Sequence, residues 1–328
     1  MLVRKTAVVL VAAVALAAGA AASLALGAVE VPLRVVVDAL FSQGGDTPFE
    51  RIVLQLRLPR TVEAAVVGAA LGVAGALLQG ALANPLASPD VIGVTGGAGF
   101  GALLIILIFP GSIALLPVGA LAFGLTAAVI VFVVAWVGPN GGSVGRLILA
   151  GIAIGSLFAG ATSGLMAAYP DRVPSAIFFL AGGLTTTGWE TLRAIAPYFA
   201  VGFVVALCLI RPLDRLSLGD DVAASLGTRP RLIRLLAGVA AALLAAASAA
   251  IAGLLGFLGL VIPHVVRLAA GTSSHGFVVP VSALAGSALL VLGDTLARVA
   301  RAPIEMPVGP LMVAIGVPLF LWLLRRAV

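Results

Sequence analysis

Residues 68–85, GAALGVAGALLQGALANP, form an uncharged apolar stretch in which Gly68, Gly72 and Gly75 recur at helical spacing. At a helical period of about 3.6 residues, these three glycines share one side of the helix. Inside a bilayer water does not drive helices together, and small residues there let two backbones approach closely. The spacing therefore predicts a membrane helix that packs against a neighbour along its glycine edge.

The rest of the chain has the same apolar character. Its 328 residues are 62% hydrophobic and only 10% charged, whereas soluble domains carry about 25% charged residues. Stretches close to the roughly 20 residues that cross a bilayer recur from end to end. We predict an all-α polytopic membrane protein with about ten transmembrane helices. The predicted spans lie near residues 5–28, 61–82, 91–109, 113–137, 145–168, 193–211, 231–252, 255–270, 277–299 and 307–325.

No polar gap between these spans is long enough for a soluble domain, so residues 1–328 are predicted to form a single transmembrane domain. An apolar piece near 173–184 is expected to be a partial or surface helix. The amino terminus imitates a secretory signal, because Arg4 and Lys5 precede an uncharged run. That run is longer than the about 7–15 apolar residues of a signal, so a retained first helix is expected.

The distribution of charge predicts the orientation. An even number of spans puts both termini on one side, and that side carries eleven of the nineteen basic residues but four of the thirteen acids. Basic residues concentrate in cytoplasmic loops, so both termini are predicted to be cytoplasmic. The net charge of +6 lies in short loops between spans, which indicates a lipid bilayer and no nucleic acid as the partner.

Residues 211–234, RPLDRLSLGDDVAASLGTRPRLIR, form the longest charged stretch on that side. Ser217 is predicted to cap a short helix, with Asp220 and Asp221 in its first turn. Gly227 can end that helix. Such a helix could be a simple connector, but its position between two spans favours a contact with a cytoplasmic partner.

Four arginines lie at helix ends on the opposite side: Arg57 and Arg60 before one span, and Arg298 and Arg301 after another. They could extend to lipid headgroups, or they could receive acidic residues of a partner in charge-assisted contacts. Asp294 is an acid within a span, which makes it a functional candidate. It is also four residues from Arg298, so a structural ion pair is an equal alternative.

The sequence lacks the GxxxxGK[ST], HExxH and GxSxG patterns of common catalytic sites. His264 and His275 are too far apart to share one helix face, and Cys208 is not near them. We therefore expect no catalytic residue, metal site or cofactor on this chain, and energy conversion on another polypeptide. Pro263, beside His264 in an apolar run, is expected to end or kink its helix.

Five stretches together resemble the FecCD family, the permeases of bacterial ABC importers for iron siderophores, haem and cobalamin. They are LRLPRTVEAAVVGAALGVAGALLQGALANPLASPDVIGVTGGAGFGA (56–102), GRLILAGIAIGS (145–156), LGDDVAASLG (218–227), GFLGLVIPHVVRLAAG (256–271) and GDTLARVARAPIEMPVGPLMVAIGVPLFLWLL (293–324). The resemblance runs from about residue 50 to the carboxy terminus.

The resemblance implies a type II importer permease in the bacterial inner membrane, with ten helices per subunit. It also implies a second permease subunit, which we expect to be identical, two cytoplasmic ATPase subunits that bind ATP and Mg, and a periplasmic substrate-binding protein. The predicted docking residues for that binding protein are Arg57, Arg60, Arg298 and Arg301. The coupling segment within 212–230 is predicted to contact the ATPase through Leu216, Leu218, Gly219, Asp220, Asp221, Ala224, Leu226 and Gly227. The cytoplasmic gate is predicted at Asn140, Gly141, Gly142 and Ser143. Predicted pathway or packing residues are Gln79, Asn84, Pro85, Gly96 and Gly97.

The cargo is expected to be a bulky metal chelate, with a ferric siderophore first, haem second and cobalamin third, moved by alternating access. A secondary transporter driven by an ion gradient is the alternative from another class. Such a transporter needs paired intramembrane acids or ion-binding breaks in its helices, and the sequence shows neither pattern. A structural membrane scaffold is the third hypothesis.

Overall fold

The computed structural model describes residues 2–41, 47–137, 143–184, 188–302 and 304–327, with side chains up to 319 and at 321. This part of the chain is almost entirely helical and contains no strand. Its α-helices are α1 (Leu2–Ala25), α2 (Leu33–Phe41), α3 (Pro48–Arg51), α4 (Leu58–Ala81), α5 (Val94–Ile108), α6 (Leu116–Trp136), α7 (Val144–Ala168), α8 (Val173–Ala181), α9 (Trp189–Leu216), α10 (Asp220–Ser225), α11 (Pro230–Ala252), α12 (Leu258–Ala270), α13 (His275–Val299) and α14 (Val308–Ala327). A π-helical segment, Ile52–Arg57, joins α3 to α4.

The described helices agree with the predicted membrane spans. Among the described residues, seven segments are long and apolar enough to cross a bilayer: Leu2–Ala25, Pro48–Ala81, Pro110–Trp136, Val144–Ala168, Trp189–Leu216, Pro230–Ala252 and His275–Val299. Three shorter apolar helices, Val94–Ile108, Leu258–Ala270 and Val308–Leu319, coincide with the other three predicted spans. The prediction of an all-α polytopic membrane protein is confirmed, and the short helix expected near 173–184 is α8.

The glycine edge of α4 packs as its spacing predicts. A β-carbon added at Gly68 would lie 2.2 Å from the carbonyl oxygen of Gly286 in α13. One added at Gly75 would lie 1.8 Å from the carbonyl oxygen of Gly259 in α12. Any side chain at either position would therefore push the helices apart. Glycine is what allows α4 to lie in the centre of the bundle.

The outer helices expose apolar side chains. On α7, Leu149 and Leu157 are 67% and 63% exposed, and on α9, Val204 is 60% exposed. In water such surfaces would be unfavourable, whereas in a bilayer they contact acyl chains or another subunit. The exposed faces therefore agree with a protein whose solvent is lipid.

Pro263 was expected to end or kink its helix, and the helix does not end there. Helix α12 begins at Leu258 and continues through Pro263 to Ala270. Proline cannot donate a bond to the carbonyl four residues earlier, which here is Gly259. Gln79 of α4 replaces that donor, since its Nε2 lies 3.4 Å from Gly259 O and 3.0 Å from Leu260 O. A side chain from a neighbouring helix thus compensates for the proline.

Candidate docking, gating and coupling sites

A cluster of charged side chains joins α4 to the end of α13. Arg60 contacts Asp294 through Nε and Nη2, at 3.0 and 2.9 Å, and its Nη1 donates to Glu305 Oε2 at 2.8 Å. Arg298 Nε lies 3.2 Å from Asp294 Oδ2, so the predicted pair four residues apart is confirmed. Asp294 is 2% exposed, and the two arginines supply the opposite charge that a buried carboxylate requires.

Arg57 and Arg298 bind the carboxyl end of α1. Arg57 Nη1 donates to the carbonyls of Leu24 and Ala25 at 2.7 and 2.8 Å. Arg298 Nη2 donates to Ser23 Oγ at 2.7 Å. The last carbonyls of a helix have no partner within the helix, and a cation is favourable there. These two arginines therefore fix α1 against α4 and α13.

The four predicted docking residues therefore differ in how exposed they are. Arg57 and Arg298 are only 6% and 7% exposed and bind groups of this chain, so in this conformation they do not face a partner. Arg60 is mostly buried, and its neighbour Glu305 has a half-exposed side chain. Arg301 is exposed. The docking role of these residues stays a prediction.

Sequence reasoning missed Glu63, which is fully buried in α4. Its Oε1 accepts a hydrogen bond of 3.1 Å from the backbone N–H of Gly188, at the start of α9. The signal was present, because an acid inside an apolar span is a functional candidate by default. Its partner could not be inferred, since Gly188 is more than a hundred residues away in sequence.

The coupling segment contains the short helix α10. Asp220 and Asp221 lie in its first turn, as predicted, but the residue before the helix is Gly219. Ser217 does not cap it, because its hydroxyl donates to the carbonyl of Asp214 at 2.7 Å. Gly219 and Gly227 have positive φ values of 99° and 76°, a backbone conformation that favours glycine. Tight glycine turns thus bound α10 on both sides.

One side of this segment is apolar and exposed. Leu218, Val222 and Leu226 recur every four residues and are 59%, 46% and 51% exposed, whereas Ala223 is buried. A cleft of about 770 Å³ lies beside α10, and its lining includes Asp221 and Arg231. An exposed apolar row with charged neighbours is typical of a protein-binding surface.

Arg234 of α11 connects the coupling segment to the core of the bundle. Its Nη1 and Nη2 donate to the two oxygens of Asp220 at 2.8 and 2.7 Å. Its Nε donates to the carbonyl of Ala81, the last residue of α4, at 3.1 Å. The turn after α4 contains Asn84, whose Oδ1 accepts from Leu86 N at 2.9 Å. Pro85 in this turn is exposed. One arginine therefore contacts both the coupling helix and the end of the central span.

Gln79 forms a second polar link within the bundle. While its Nε2 donates to α12, its Oε1 accepts a hydrogen bond from Nη1 of Arg267 on the same helix. Gln79 is 3% exposed. It therefore acts as a structural bridge between α4 and α12, which supports packing over pathway lining for this residue.

Gly96 and Gly97 also contact neighbouring helices. A β-carbon at Gly97 would lie 2.4 Å from the carbonyl oxygen of Phe123 in α6, and one at Gly96 would lie 3.2 Å from that of Gly155 in α7. Of the predicted gate, Asn140, Gly141 and Gly142 lie outside the described residues. Ser143 caps α7, since its Oγ accepts from the backbone N–H of Arg146 at 3.4 Å.

His264 and His275 lie in different helices and do not form a shared site. His275 Nδ1 lies 2.8 Å from Asp214 Oδ1, which joins α13 to α9. Within the described ranges, no three His, Cys, Asp or Glu side chains come together in a way that could hold a metal ion.

Comparison with known proteins agrees with this arrangement. The FecCD transport family model matches residues 10–326. The Fe(3+)-citrate import system permease protein YfmE of Bacillus subtilis is 38% identical over 321 residues, covering 97% of this chain and 94% of YfmE. The hemin transport system permease protein HmuU of Yersinia pestis is 37% identical over 311 residues, covering 92% of each protein.

A solved structure also matches over nearly the whole length. An inward-facing metal-chelate type ABC transporter superimposes with a TM-score of 0.85 and 31% sequence identity, covering 98% of this chain and 99% of that one. The match to the family model extends from residue 10, within α1, to residue 326, within α14. The chain therefore belongs to the FecCD transport family of importer permeases.

Proposed function

We propose that this chain is the membrane permease of an ATP-driven importer that carries a ferric siderophore into the cytoplasm by alternating access. The observation that carries this proposal is the coupling segment. It presents Leu218, Val222 and Leu226 to the outside, and Arg234 ties it to the end of α4. An importer permease needs such a connection, because ATP hydrolysis takes place on a separate subunit.

In this proposal, the ATPase binds the apolar row on the coupling segment, and its movement is transmitted through the Asp220–Arg234 pair. The side chains of Arg234 and Asp220 are 15% and 51% exposed, so solvent and salt screen the pair in part. A push on α10 therefore displaces Arg234 and the carboxyl end of α4 together. The turn at Asn84 follows that end directly.

The proposed site for the binding protein lies at the opposite end of the bundle. There Arg301 is exposed and Arg60 forms an ion pair with the half-exposed Glu305. An acidic residue of a binding protein could pair with Arg301 directly. It could also compete with Glu305 for Arg60, since carboxylates bind guanidinium in the same geometry.

The proposed cargo class follows from the relatives. Those named above are permeases for Fe(3+)-citrate and hemin, and another, FepD of Escherichia coli, is a ferric enterobactin permease with 38% identity. A ferric siderophore is our first proposal, haem is the second and cobalamin the third. The exposed apolar face of α7 is where we propose that an identical second permease subunit packs. ATP and Mg bind only the ATPase subunits, and both termini of this chain face the cytoplasm.

The test is transport by the purified chain in proteoliposomes, with its ATPase and binding protein, using a ferric siderophore, haem and cobalamin in parallel. We expect uptake of one chelate that requires both ATP and the binding protein. If only haem is taken up, the cargo is haem and not a ferric siderophore. Uptake that is independent of ATP and stops when the proton gradient is dissipated would support the secondary transporter instead.

A further inference from the structure

A long groove lies on one flank of the bundle, outside the sites described above. Its volume is about 580 Å³, and α1, α12, α13 and α14 form its walls. The walls are aliphatic or aromatic along most of their length, and Arg4 is the charged residue among those that line the groove. Such a surface favours an apolar occupant.

The groove has the depth of one membrane leaflet. On α1 its wall extends from Arg4 to Ala15, and on α12 from Leu258 to Ala269. At a rise of about 1.5 Å per residue, each wall is about 16 Å long. The hydrocarbon core of a bilayer is roughly 30 Å thick, so one leaflet contributes about 15 Å. A membrane helix of a second subunit would need a surface through both leaflets, whereas one acyl chain needs only this depth.

Arg4 lines the groove at the end where headgroups would be, and Lys5 is the next residue of the chain. Arg4 donates from Nε and Nη2 to the carbonyls of Ala269 and Leu268, both at 2.6 Å. These bonds hold its guanidinium between α1 and the end of α12. Lys5 follows directly, with Nζ 5.4 Å from the centre of the Phe277 ring. Basic residues next to a membrane surface attract anionic lipids.

We propose that this groove binds an anionic phospholipid, with one acyl chain between α1 and α14 and the phosphate group at Arg4 and Lys5. The apolar walls are as long as one leaflet is thick, which favours an acyl chain. The two positive charges favour an anionic headgroup.

The experiment measures lipid bound to the purified chain. The protein is placed in nanodiscs with equal amounts of phosphatidylglycerol and phosphatidylethanolamine, released into mild detergent, and analysed by native mass spectrometry. Lys5→Gln removes one headgroup contact, and Ala15→Phe fills the deep part of the groove. Their matched controls are Arg146→Gln, which changes a basic residue at the start of α7, and Val14→Phe on the exposed side of α1.

We expect the wild-type chain to retain phosphatidylglycerol at least about fivefold over phosphatidylethanolamine, Lys5→Gln to lose most of that preference, and Ala15→Phe to lose retention of both lipids. Both controls should behave as wild type. Equal retention of the two lipids by the wild-type chain would overturn the proposal. So would an Ala15→Phe variant that keeps its lipid but changes from dimer to monomer, because the groove would then be an interface between copies.

Discussion

Arg234 of α11 holds Asp220 of α10 through two hydrogen bonds of 2.8 and 2.7 Å, and the same guanidinium binds the last carbonyl of α4. The two aspartates at the start of α10 are adjacent in sequence, but only Asp220 has this ion pair with α11. Both aspartates line the adjacent cleft, so what distinguishes Asp220 from Asp221 is its connection to the bundle.

Replacement of Asp220 by Asn should uncouple ATP hydrolysis from transport. We expect uptake to fall about tenfold while the ATPase still copurifies, since the apolar row that binds it is unchanged. Asp221→Asn is the matched control and should preserve the link to Arg234. A double-mutant cycle combines Asp220→Asn with Arg234→Ala and compares the rates of uptake. The coupling free energy between Asp220 and Arg234 should be about 1 kcal/mol. Additive effects would show that the pair does not transmit the movement.

Replacement of Gln79 by Leu should destabilise the contact between α4 and α12. This change removes the donor to Gly259 O and the acceptor of Arg267, and leaving buried polar groups unpaired costs about 1–3 kcal/mol. Pro263→Ala in the same chain restores a backbone N–H that can bind Gly259 O. We therefore expect it to recover part of the lost thermal stability, measured by unfolding in detergent. No recovery would mean that the proline and Gln79 are not linked.

Replacement of Gly75 by Ala should lower stability by about 1–3 kcal/mol, as overpacking of a tight contact does. The added methyl group would lie 1.8 Å from the carbonyl oxygen of Gly259, a backbone atom that cannot turn aside as a flexible side chain can. Gly160→Ala in α7 is the control, because its added β-carbon would have no atom of a neighbouring helix within 4 Å. The measurement is the midpoint of thermal unfolding. Equal midpoints for the two variants would contradict the described helix contact.

Replacement of Arg57 should affect folding, whereas replacement of Arg301 should affect binding of the substrate-binding protein. Arg57→Ala leaves the carboxyl end of α1 without its buried partner, so we expect loss of folded protein at a cost of about 2 kcal/mol or more. Arg301→Glu, at an exposed position, should leave folding unchanged and weaken binding of the substrate-binding protein about tenfold.

The two measurements are the yield of monodisperse protein and the binding affinity by surface plasmon resonance. If the Arg57→Ala variant folds normally but binds the substrate-binding protein more weakly, Arg57 is part of the docking surface. Normal affinity of Arg301→Glu would assign Arg301 to lipid headgroups.

Several features were predictable because they depend on local sequence. The length of the apolar runs gave the positions of the spans, and the spacing of Gly68, Gly72 and Gly75 gave the packing edge of α4. The acids of the first turn and Gly227 predicted the two ends of α10 to within a residue or two. The prediction that Ser217 caps α10 was wrong. Its hydroxyl donates to the carbonyl of Asp214 in the preceding turn, and such local hydrogen bonds to the backbone are common for serine.

Apolar length, helical period and local charge within the sequence itself determined a membrane protein built from helices, with a short charged helix between two spans. Tertiary structure decided which long-range partner each polar side chain has. Arg57 and Arg298 lie at the end of α1, Gln79 compensates for Pro263, and Glu63 reaches α9, each across many residues of sequence. The physical reason is that a polar group buried among helices must find a partner in three dimensions, and neither apolar length nor helical period records where that partner lies.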